Sequence, residues 1–455
     1  MSDPNPEPTP MLHDPSLASS AKRSRSIPTR REFLTHLTVA AAAIQATGGV
    51  HSEAAEGEST SALEEIRIGL IGAGGRGSGA VIDSLTINKN IVLSAIADFD
   101  PNAPGRLESG LKKRFEAAIN VPGDRMYSGL DGYKQILDDP KIDLVMFATP
   151  PGFRPRHLLD AVESGKHIFA EKPTCVDPAG YRTCLEVHAK AEAQKTSIVT
   201  GTQYRRQVNY VEAVSRLRDG AIGDVIGATS RYCSNGTWYK PRRKDMSDIE
   251  YQIYNWMHFI WLSGDQIVEQ SVHNIDFMNW LMDSTPESAF GSGGRFTRPA
   301  DSEMWDSMSV DYVYPGNRFI SFKCYQIPGA VSENATVIYG SNGTAKIYGI
   351  NAGSFIYDQD GKEVWSMKGD LNLAYQQEHK DLIDSIRSST PIVELEQTAN
   401  SSLTAVMGRM AAYTGQYVTW DFVTKESKLS LFPEPFDLKG KRESSFAIPG
   451  REKLM

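Results

Sequence analysis

The sequence predicts an α/β protein in two folded parts, a doubly wound parallel sheet over residues 61–200 and a second α/β domain over 201–455. Three observations predict it. A short β-branched strand runs into a glycine-rich turn and a helix near residue 66. Strand-like and helix-like stretches then alternate through short loops as far as residue 200. Beyond residue 300 the pattern becomes alternation with period two, broken by turn residues.

The chain has 455 residues, a length that suggests two or three domains at ~150 residues each. Hydrophobic residues at 40% and charged residues at 23% exclude a wholly disordered chain. Lys plus Arg number 48 against 56 Asp plus Glu, a net charge of -8, which leaves no electrostatic footprint for nucleic acid. Cys175, Cys184, Cys233 and Cys324 have no CxxC spacing, so buried thiols are expected rather than a zinc ribbon or redox pair. No metal site is proposed.

Residues 1–60 read as a leader. Residues 1–28 are rich in Pro, Ser, Asp and Arg. Arg30-Arg31-Glu32-Phe33-Leu34 then precedes an apolar run from Leu37 to Ile44. That run is too short for a membrane span, which needs ~20 residues. A twin arginine, a Phe-Leu pair and an Ala-rich core fit a twin-arginine export signal, hence a periplasmic or otherwise exported protein. A surface helix with chance arginines is the plain alternative. No later apolar run approaches spanning length, so no integral membrane segment is expected after the leader.

Ile66 to Ile71 is a β-branched run typical of a buried parallel strand. It leads into Gly72-Ala73-Gly74-Gly75-Arg76-Gly77, and the helical pattern Ala80, Val81, Leu85 follows. This GxGxxG, set between strand and helix, reads as a dinucleotide-binding turn. Gly72 makes the tight turn, Gly74 admits the pyrophosphate and Gly77 lets helix and strand pack closely. Gly75 and Arg76 lie at the helix start, where backbone N–H groups hold phosphate. The next strand, Ile91 to Ala97, ends at Asp98, 21 residues after Gly77. A carboxylate there accepts ribose hydroxyls and repels a 2′-phosphate, which favours NAD over NADP. A surface strand-end aspartate is the alternative.

Further on, Tyr133 to Leu137 reads as helix, Asp143 to Ala148 as strand and Arg156 to Ser164 as helix. His167 to Ala170 reads as strand, Pro178 to Ala193 as helix and Ser197 to Thr200 as strand. The cofactor bed should lie at the carboxyl ends of these strands, where Thr149, Pro150, Glu171 and Lys172 stand. Lys172, between an apolar strand and Pro173, is at the mouth of the sheet beside the nicotinamide position. A surface salt bridge is its bland reading.

The glycine turn, Ala148-Thr149-Pro150-Pro151 and the run Ser164-Gly165-Lys166-His167-Ile168-Phe169-Ala170-Glu171-Lys172-Pro173 resemble the Gfo/Idh/MocA oxidoreductase family. The likeness extends to His379-Lys380-Asp381-Leu382-Ile383-Asp384 and to Ala411-Ala412-Tyr413, covering about residues 66–425. It implies that the second domain carries an open, mainly antiparallel sheet, one face over the active site and the other serving a homo-oligomer. It also implies hydride transfer between NAD(P) and a sugar or polyol carbon. The family's lysine falls on Lys172, and its acid-x-x-x-His element falls on Glu269 to His273. Many members have Asp where this chain has Glu269.

In the second half, Ile226 to Tyr232 reads as strand, and the loop after it carries Trp238 and a basic cluster, Lys240 to Lys244. The cluster is either a solvated loop or part of a rim for anionic sugars. Trp256 and Trp261 offer flat faces for sugar stacking or simply fill a core. Val268 to Met282 reads as one helix, placing Glu269 and His273 on one face at i, i+4 with Asp276 beside them. Met308 to Tyr314, Arg318 to Tyr325, Thr336 to Tyr339 and Thr344 to Tyr348 read as strands, Tyr375 to Ser388 and Asn400 to Tyr417 as helices.

With the resemblance, His273 is the expected base, since an ordinary imidazole titrates near neutrality. Lys172 holds the substrate hydroxyl and stabilises its developing charge, and Glu269 orients the pair. Tyr204, Trp238 and Asp276 are the expected substrate contacts. The expected activity is a dehydrogenase of CH–OH groups with tightly bound NAD. One alternative is an NAD-dependent glycosidase working through transient sugar oxidation. Another, of a different class, is a non-catalytic sugar-binding or sensing protein on the same scaffold.

Overall fold

The computed structural model describes residues 64–455, so the export reading, which rests on residues 1–60, lies outside the described residues. In chain order, β1 (Ile66–Ile71) is followed by α1 (Gly75–Ile87), β2 (Ile91–Asp98), α2 (Ala103–Phe115) and β3 (Met126–Ser128). Then come α3 (Gly132–Leu137), β4 (Leu144–Phe147), α4 (Arg154–Glu163), β5 (His167–Ala170), α5 (Pro178–Gln194) and β6 (Ile198–Thr200). These strands form a six-stranded sheet in the order β3-β2-β1-β4-β5-β6, every pairing parallel. The order reverses between β1 and β4, and ligands of such sheets bind at the carboxyl ends beside that switch.

Local chemistry sets the ends of these elements. Asp177 caps α5 by accepting the Gly180 N–H at 2.7 Å, with Pro178 in the first turn. α1 starts at an extended Gly74 that has no side-chain cap, which leaves its first turn open to an anionic ligand.

The second part begins with α6 (Val208–Arg218) and β7 (Val225–Ser234), then α7 (Asp248–Tyr254), α8 (Gln266–Glu269) and α9 (Val272–Met282). Six strands follow, β8 (Ser288–Gly294), β9 (Ser307–Tyr314), β10 (Arg318–Gln326), β11 (Glu333–Gly340), β12 (Gly343–Tyr348) and β13 (Gly353–Asp358). The chain closes with β14 (Glu363–Met367), α10 (Leu371–Arg387), α11 (Leu395–Thr414) and β15 (Val418–Thr419). The nine strands form one sheet, β14-β13-β12-β11-β7-β10-β9-β8-β15, antiparallel except where β10 runs parallel to β7. Alternation holds on β9, where Met308, Val310, Tyr312 and Tyr314 are buried and the residues between them are not.

The region read as one helix from Val268 to Met282 is two. α8 ends at Glu269, and α9 starts at Val272. The cause is chemical. In an unbroken helix the Glu269 carbonyl would accept the His273 N–H; here it accepts the ammonium of Lys172 at 2.6 Å. The helix breaks where the other half of the molecule reaches in.

The core is continuous across the two parts. α11 is buried all round from Ser401 to Thr414 and packs on α5 and on β8 and β9. α10 lies against α1, and Leu382 and Ile383 join the apolar layer of Ile68, Leu70, Val81 and Leu93. The segment after β15 crosses the surface, where Phe432 and Phe436 pack on Phe153 and Trp261. All four cysteines are buried free thiols. Among the described residues no helix is long and apolar enough to cross a membrane.

Candidate functional site

The glycine turn is shaped as a cradle. Gly72 has φ +100°, and a Cβ there would lie 2.7 Å from the Ala148 carbonyl carbon. A Cβ on Gly77 would overlap the Gly72 carbonyl oxygen, so helix and turn meet only through glycine. Around Gly74 and Gly75 the space is open to 4 Å. Asp98 is drawn onto the turn, its two oxygens accepting the N–H groups of Ala73 at 2.6 Å and Asp100 at 2.8 Å. Burial raises its carboxyl above the ordinary range. A groove of about 310 Å³ runs past Gly72 to Gly74, Asp98, Thr149 and Pro150. An open cradle, a helix start and a carboxylate at the end of β2 fit a dinucleotide.

A second cavity, about 410 Å³, adjoins this groove, and Ala148, Thr149 and Trp256 line both. Its walls bring together Lys172 from the end of β5, Glu269 from α8, His273 from α9 and Tyr204 from the segment after β6. Lys172 stands two residues after β5 and is joined to Pro173 by a cis peptide. Its ammonium donates to the Glu269 carbonyl and, at 3.2 Å, to the Glu269 carboxylate. The other carboxylate oxygen accepts the Gln270 amide at 2.6 Å, and the Gln270 carbonyl accepts the Tyr232 hydroxyl at 3.2 Å. His273 is buried, and its Nδ1 has no hydrogen-bond partner. Burial first, then the charges of Lys172 and Arg76, hold its proton affinity well below the ordinary histidine value. The imidazole is therefore neutral at physiological pH, able to accept a proton but a weaker base than its unperturbed value implies.

The remaining wall is charged and polar. Arg76 pairs with Glu171 and stacks over the Tyr375 ring at 4.6 Å. Burial pulls the Arg76 guanidinium down, but Glu171 and Glu378 outweigh it and the net shift is upward. The Tyr204 hydroxyl accepts the Asn334 amide at 3.3 Å and the Ile350 N–H at 3.4 Å. Oε1 of Gln203 and Oδ1 of Asn334 are buried without partners, and both residues line the cavity. Polar side chains in a cavity wall suit a polyhydroxylated ligand.

Most expected site residues meet at these two cavities, with two corrections. Asp276 is no substrate contact: it is buried, holds Arg205 through two bonds of 2.9 Å and accepts the Ser401 hydroxyl at 2.8 Å. Trp238 is half-exposed and lines neither cavity; its carbonyl accepts from His258 at 2.8 Å, and Lys240 sits 4.9 Å over its ring. Arg76 and Glu171, expected to hold cofactor, pair with each other in the wall of the second cavity. Gly75 and Gly77 line neither cavity, and Gly77 meets the Gly72 carbonyl closely, in keeping with the packing role read for it.

Of the basic cluster only Lys240 enters a wall, that of the dinucleotide groove, while Arg242 pairs with Asp248 at 2.7 Å. Trp256 lines both cavities and Trp261 is core. Residues not anticipated are Arg154, Gln203, Tyr232, Asn334 and Tyr375. They stand on separate elements and carry no motif; only Gln203, beside the expected Tyr204 at the end of β6, offered a signal.

Residues 66–199 match a family model described as an oxidoreductase family with an NAD-binding Rossmann fold, and residues 210–346 match one for the GFO/IDH/MocA C-terminal domain. An inositol 2-dehydrogenase of Acidothermus cellulolyticus is 25% identical over 54% of this chain and 62% of its own length. A glycosyl hydrolase family 109 protein of Shewanella pealeana is 25% identical over 43% of this chain and 40% of its own. The chain thus matches less than two thirds of either relative. A levoglucosan dehydrogenase in complex with NADH and levoglucosan superposes with TM-score 0.63 at 17% identity, covering 78% of this chain and 99% of that one. An aldose-aldose oxidoreductase of Caulobacter crescentus gives 0.60 at 18%, covering 78% and 100%. At such identities the structures share a fold.

Proposed function

The chain belongs to the Gfo/Idh/MocA oxidoreductase family, and on that footing we propose that it transfers a hydride between NAD and a hydroxyl-bearing carbon of a sugar or polyol. One observation carries the reading. Lys172, from the parallel sheet, and Glu269 and His273, from the other half, line a single cavity that opens beside the glycine turn.

Gly72 to Gly74 and Asp98 would hold the dinucleotide, which when bound supplies the hydride acceptor. The residues of the chain do the rest. Lys172 has three N–H donors, two of them on Glu269, so one remains for the substrate oxygen. That contact strengthens as the oxygen gains negative charge. Neutral His273 accepts the hydroxyl proton. Glu269 holds the ammonium in place through backbone and side chain together. Gln203, Asn334 and Tyr204 orient the remaining hydroxyls, and such alignment lowers the barrier by several kcal/mol.

Asp98 at the groove favours NAD over NADP. The same reading has the protein exported by the twin-arginine route with NAD already bound and retained through turnover. It also has copies associating through the outer sheet face, where Phe290, Phe319 and Tyr339 are exposed. The test is mass spectrometry of the denatured, purified protein, followed by a sugar and polyol screen read at the reduced-nicotinamide absorbance. NAD released from the protein and a substrate-dependent absorbance rise support the proposal. Absence of nucleotide together with a silent screen would move the protein to the sugar-binding class.

The likeness to glycosyl hydrolase family 109 proteins favours a second reading, a glycosidase that oxidises its sugar transiently and returns the hydride. Aryl glycosides without added NAD decide between them. Cleavage without net NADH indicates the cyclic chemistry, and stoichiometric NADH a dehydrogenase.

A further inference from the structure

The dinucleotide groove has two walls of different origin. The glycine turn, Asp98 and Thr149 come from the parallel sheet, while Lys240, Ile253, Tyr254 and Trp256 come from the second half. Ile253 and Tyr254 close α7, a helix of 7 residues. A helix that short does not persist without tertiary support. Lys240 is fastened to the end of the same helix, its N–H donating to the Asn255 side chain at 3.1 Å and its ammonium to the Tyr254 carbonyl at 3.3 Å. The second wall therefore stands only as firmly as α7 is held.

The last part of the chain holds it. Anchored at the start of α5, where the Leu431 N–H donates to Asp177 at 2.7 Å, the chain then runs along α7. The Ser247 hydroxyl donates to the Leu438 carbonyl at 2.6 Å, and Lys439 pairs with Glu250. The Arg442 N–H donates to Asp248 at 3.0 Å, and its carbonyl accepts the Gln252 amide at 3.0 Å. The Arg442 guanidinium donates to the Gln252 carbonyl at 3.0 Å and pairs with Glu303 at 2.5 Å. Glu303 is fully buried, and Arg442 is its only cationic partner among the described ion pairs. Beneath these bonds Phe432, Phe436 and Leu438 pack on an apolar cluster distinct from the two larger ones, and that cluster contains Phe153 and Ile253 of the groove walls.

Resting on the oxidoreductase reading, we propose that residues 429–442 form a strap that holds the second wall against the bound dinucleotide, with Arg442 as its positioning residue, and so set how long the nucleotide stays. The strap lines neither cavity, so its effect passes through the wall. Were α7 loose, the nucleotide would have to order it on binding, and that cost would be subtracted from the affinity. With the strap seated the wall is ordered beforehand. The contacts so secured act on release more than on encounter, because encounter is set mainly by diffusion and orientation. A strap of this kind is what retention of NAD through turnover requires of the chain.

The release rate tests it. Full-length protein loaded with NADH is chased with excess NAD⁺, and the loss of reduced-nicotinamide fluorescence is followed in time. Arg442→Gln, which leaves Glu303 unpaired, should release NADH about tenfold faster than wild type, equivalent to about 1.4 kcal/mol of held contact. Arg442→Lys, which keeps a cation on Glu303, should come back to within about threefold of the wild-type rate. Ile320→Val loses packing in β10, lines neither cavity and should leave the rate within about twofold. A release rate in Arg442→Gln within about twofold of wild type, or an equal rise in Ile320→Val, overturns the inference and leaves the oxidoreductase reading intact. If Arg442→Gln does not fold, Phe436→Leu thins the cluster under the strap while keeping it apolar, and an unchanged rate there overturns the inference as well. No binding of NADH to wild type overturns the oxidoreductase reading and this inference together.

Discussion

Lys172→Met removes the ammonium that joins the two halves of the site. Two hydrogen bonds go, at 2.6 and 3.2 Å, and the Glu269 carboxylate loses its only cationic partner among the described ion pairs. Both side chains are about nine-tenths buried, so water cannot replace the lost contacts. Breaking a buried pair from one side costs about 3–5 kcal/mol of stability. Removing both members leaves a smaller defect, so Lys172→Met/Glu269→Gln should be less destabilised than the sum of the single variants by about 1–3 kcal/mol. Urea unfolding of the four proteins measures this without a substrate. For turnover, losing a donor to the developing oxyanion should lower kcat by about 10²–10³-fold with little change in KM. Additive stabilities, or a Lys172→Met enzyme within about threefold of wild-type kcat, would show that the cavity is not organised as argued.

Gly77→Ala places a methyl on the Gly72 carbonyl; nucleotide affinity should fall by about 100-fold or more, measured by titration calorimetry. His157 is buried beside Thr149, and burial carries it down to about 3. Its unfolded form binds a proton near pH 6.5, so its contribution is complete above that pH and is lost as pH falls toward 3; His157→Gln should flatten the stability slope between pH 6 and 4 by about 1.4 kcal/mol per pH unit. Since His273 is likewise held well below the ordinary value, kcat/KM should show no acidic limb near pH 6.5, the break moving well below it. Trp238→Ala should leave KM within about threefold, because the indole lies outside both cavities.

What could be read from the chain follows from how local each cause is. The turn at 72–77 was legible because a positive φ at Gly72 and the crowding at Gly77 admit no other residue. Asp98 and Lys172 were legible because strand ends in a parallel sheet all open on one edge. β8, with sequence SAFGSGG, was not, since glycine blurs the alternation. The break between α8 and α9 was hidden because its cause, Lys172, stands 97 residues earlier. Asp276 misled for the same reason, its partner Arg205 lying 71 residues away. Arg154, Gln203 and Asn334 join the site through tertiary placement alone.

Asp276 nonetheless matters to the chemistry by another route. It stands one turn after His273 on α9 and grips Arg205, the neighbour of Tyr204. Arg206, next along, reaches Asp381 on α10 at 3.1 Å and Glu394 before α11. The Tyr204 segment is therefore pinned on one side to the helix that carries His273 and on the other to the helices packed on the parallel sheet. The Arg205–Asp276 and Arg206–Glu394 bonds are largely buried, where geometry is held tightly and misalignment is expensive. The His273 and Tyr204 rings lie 5.4 Å apart, and these pairs hold the segments that carry them. The residue expected to touch substrate instead ties the helix of His273 to the segment of Tyr204, so Asp276→Asn should disturb turnover and stability together.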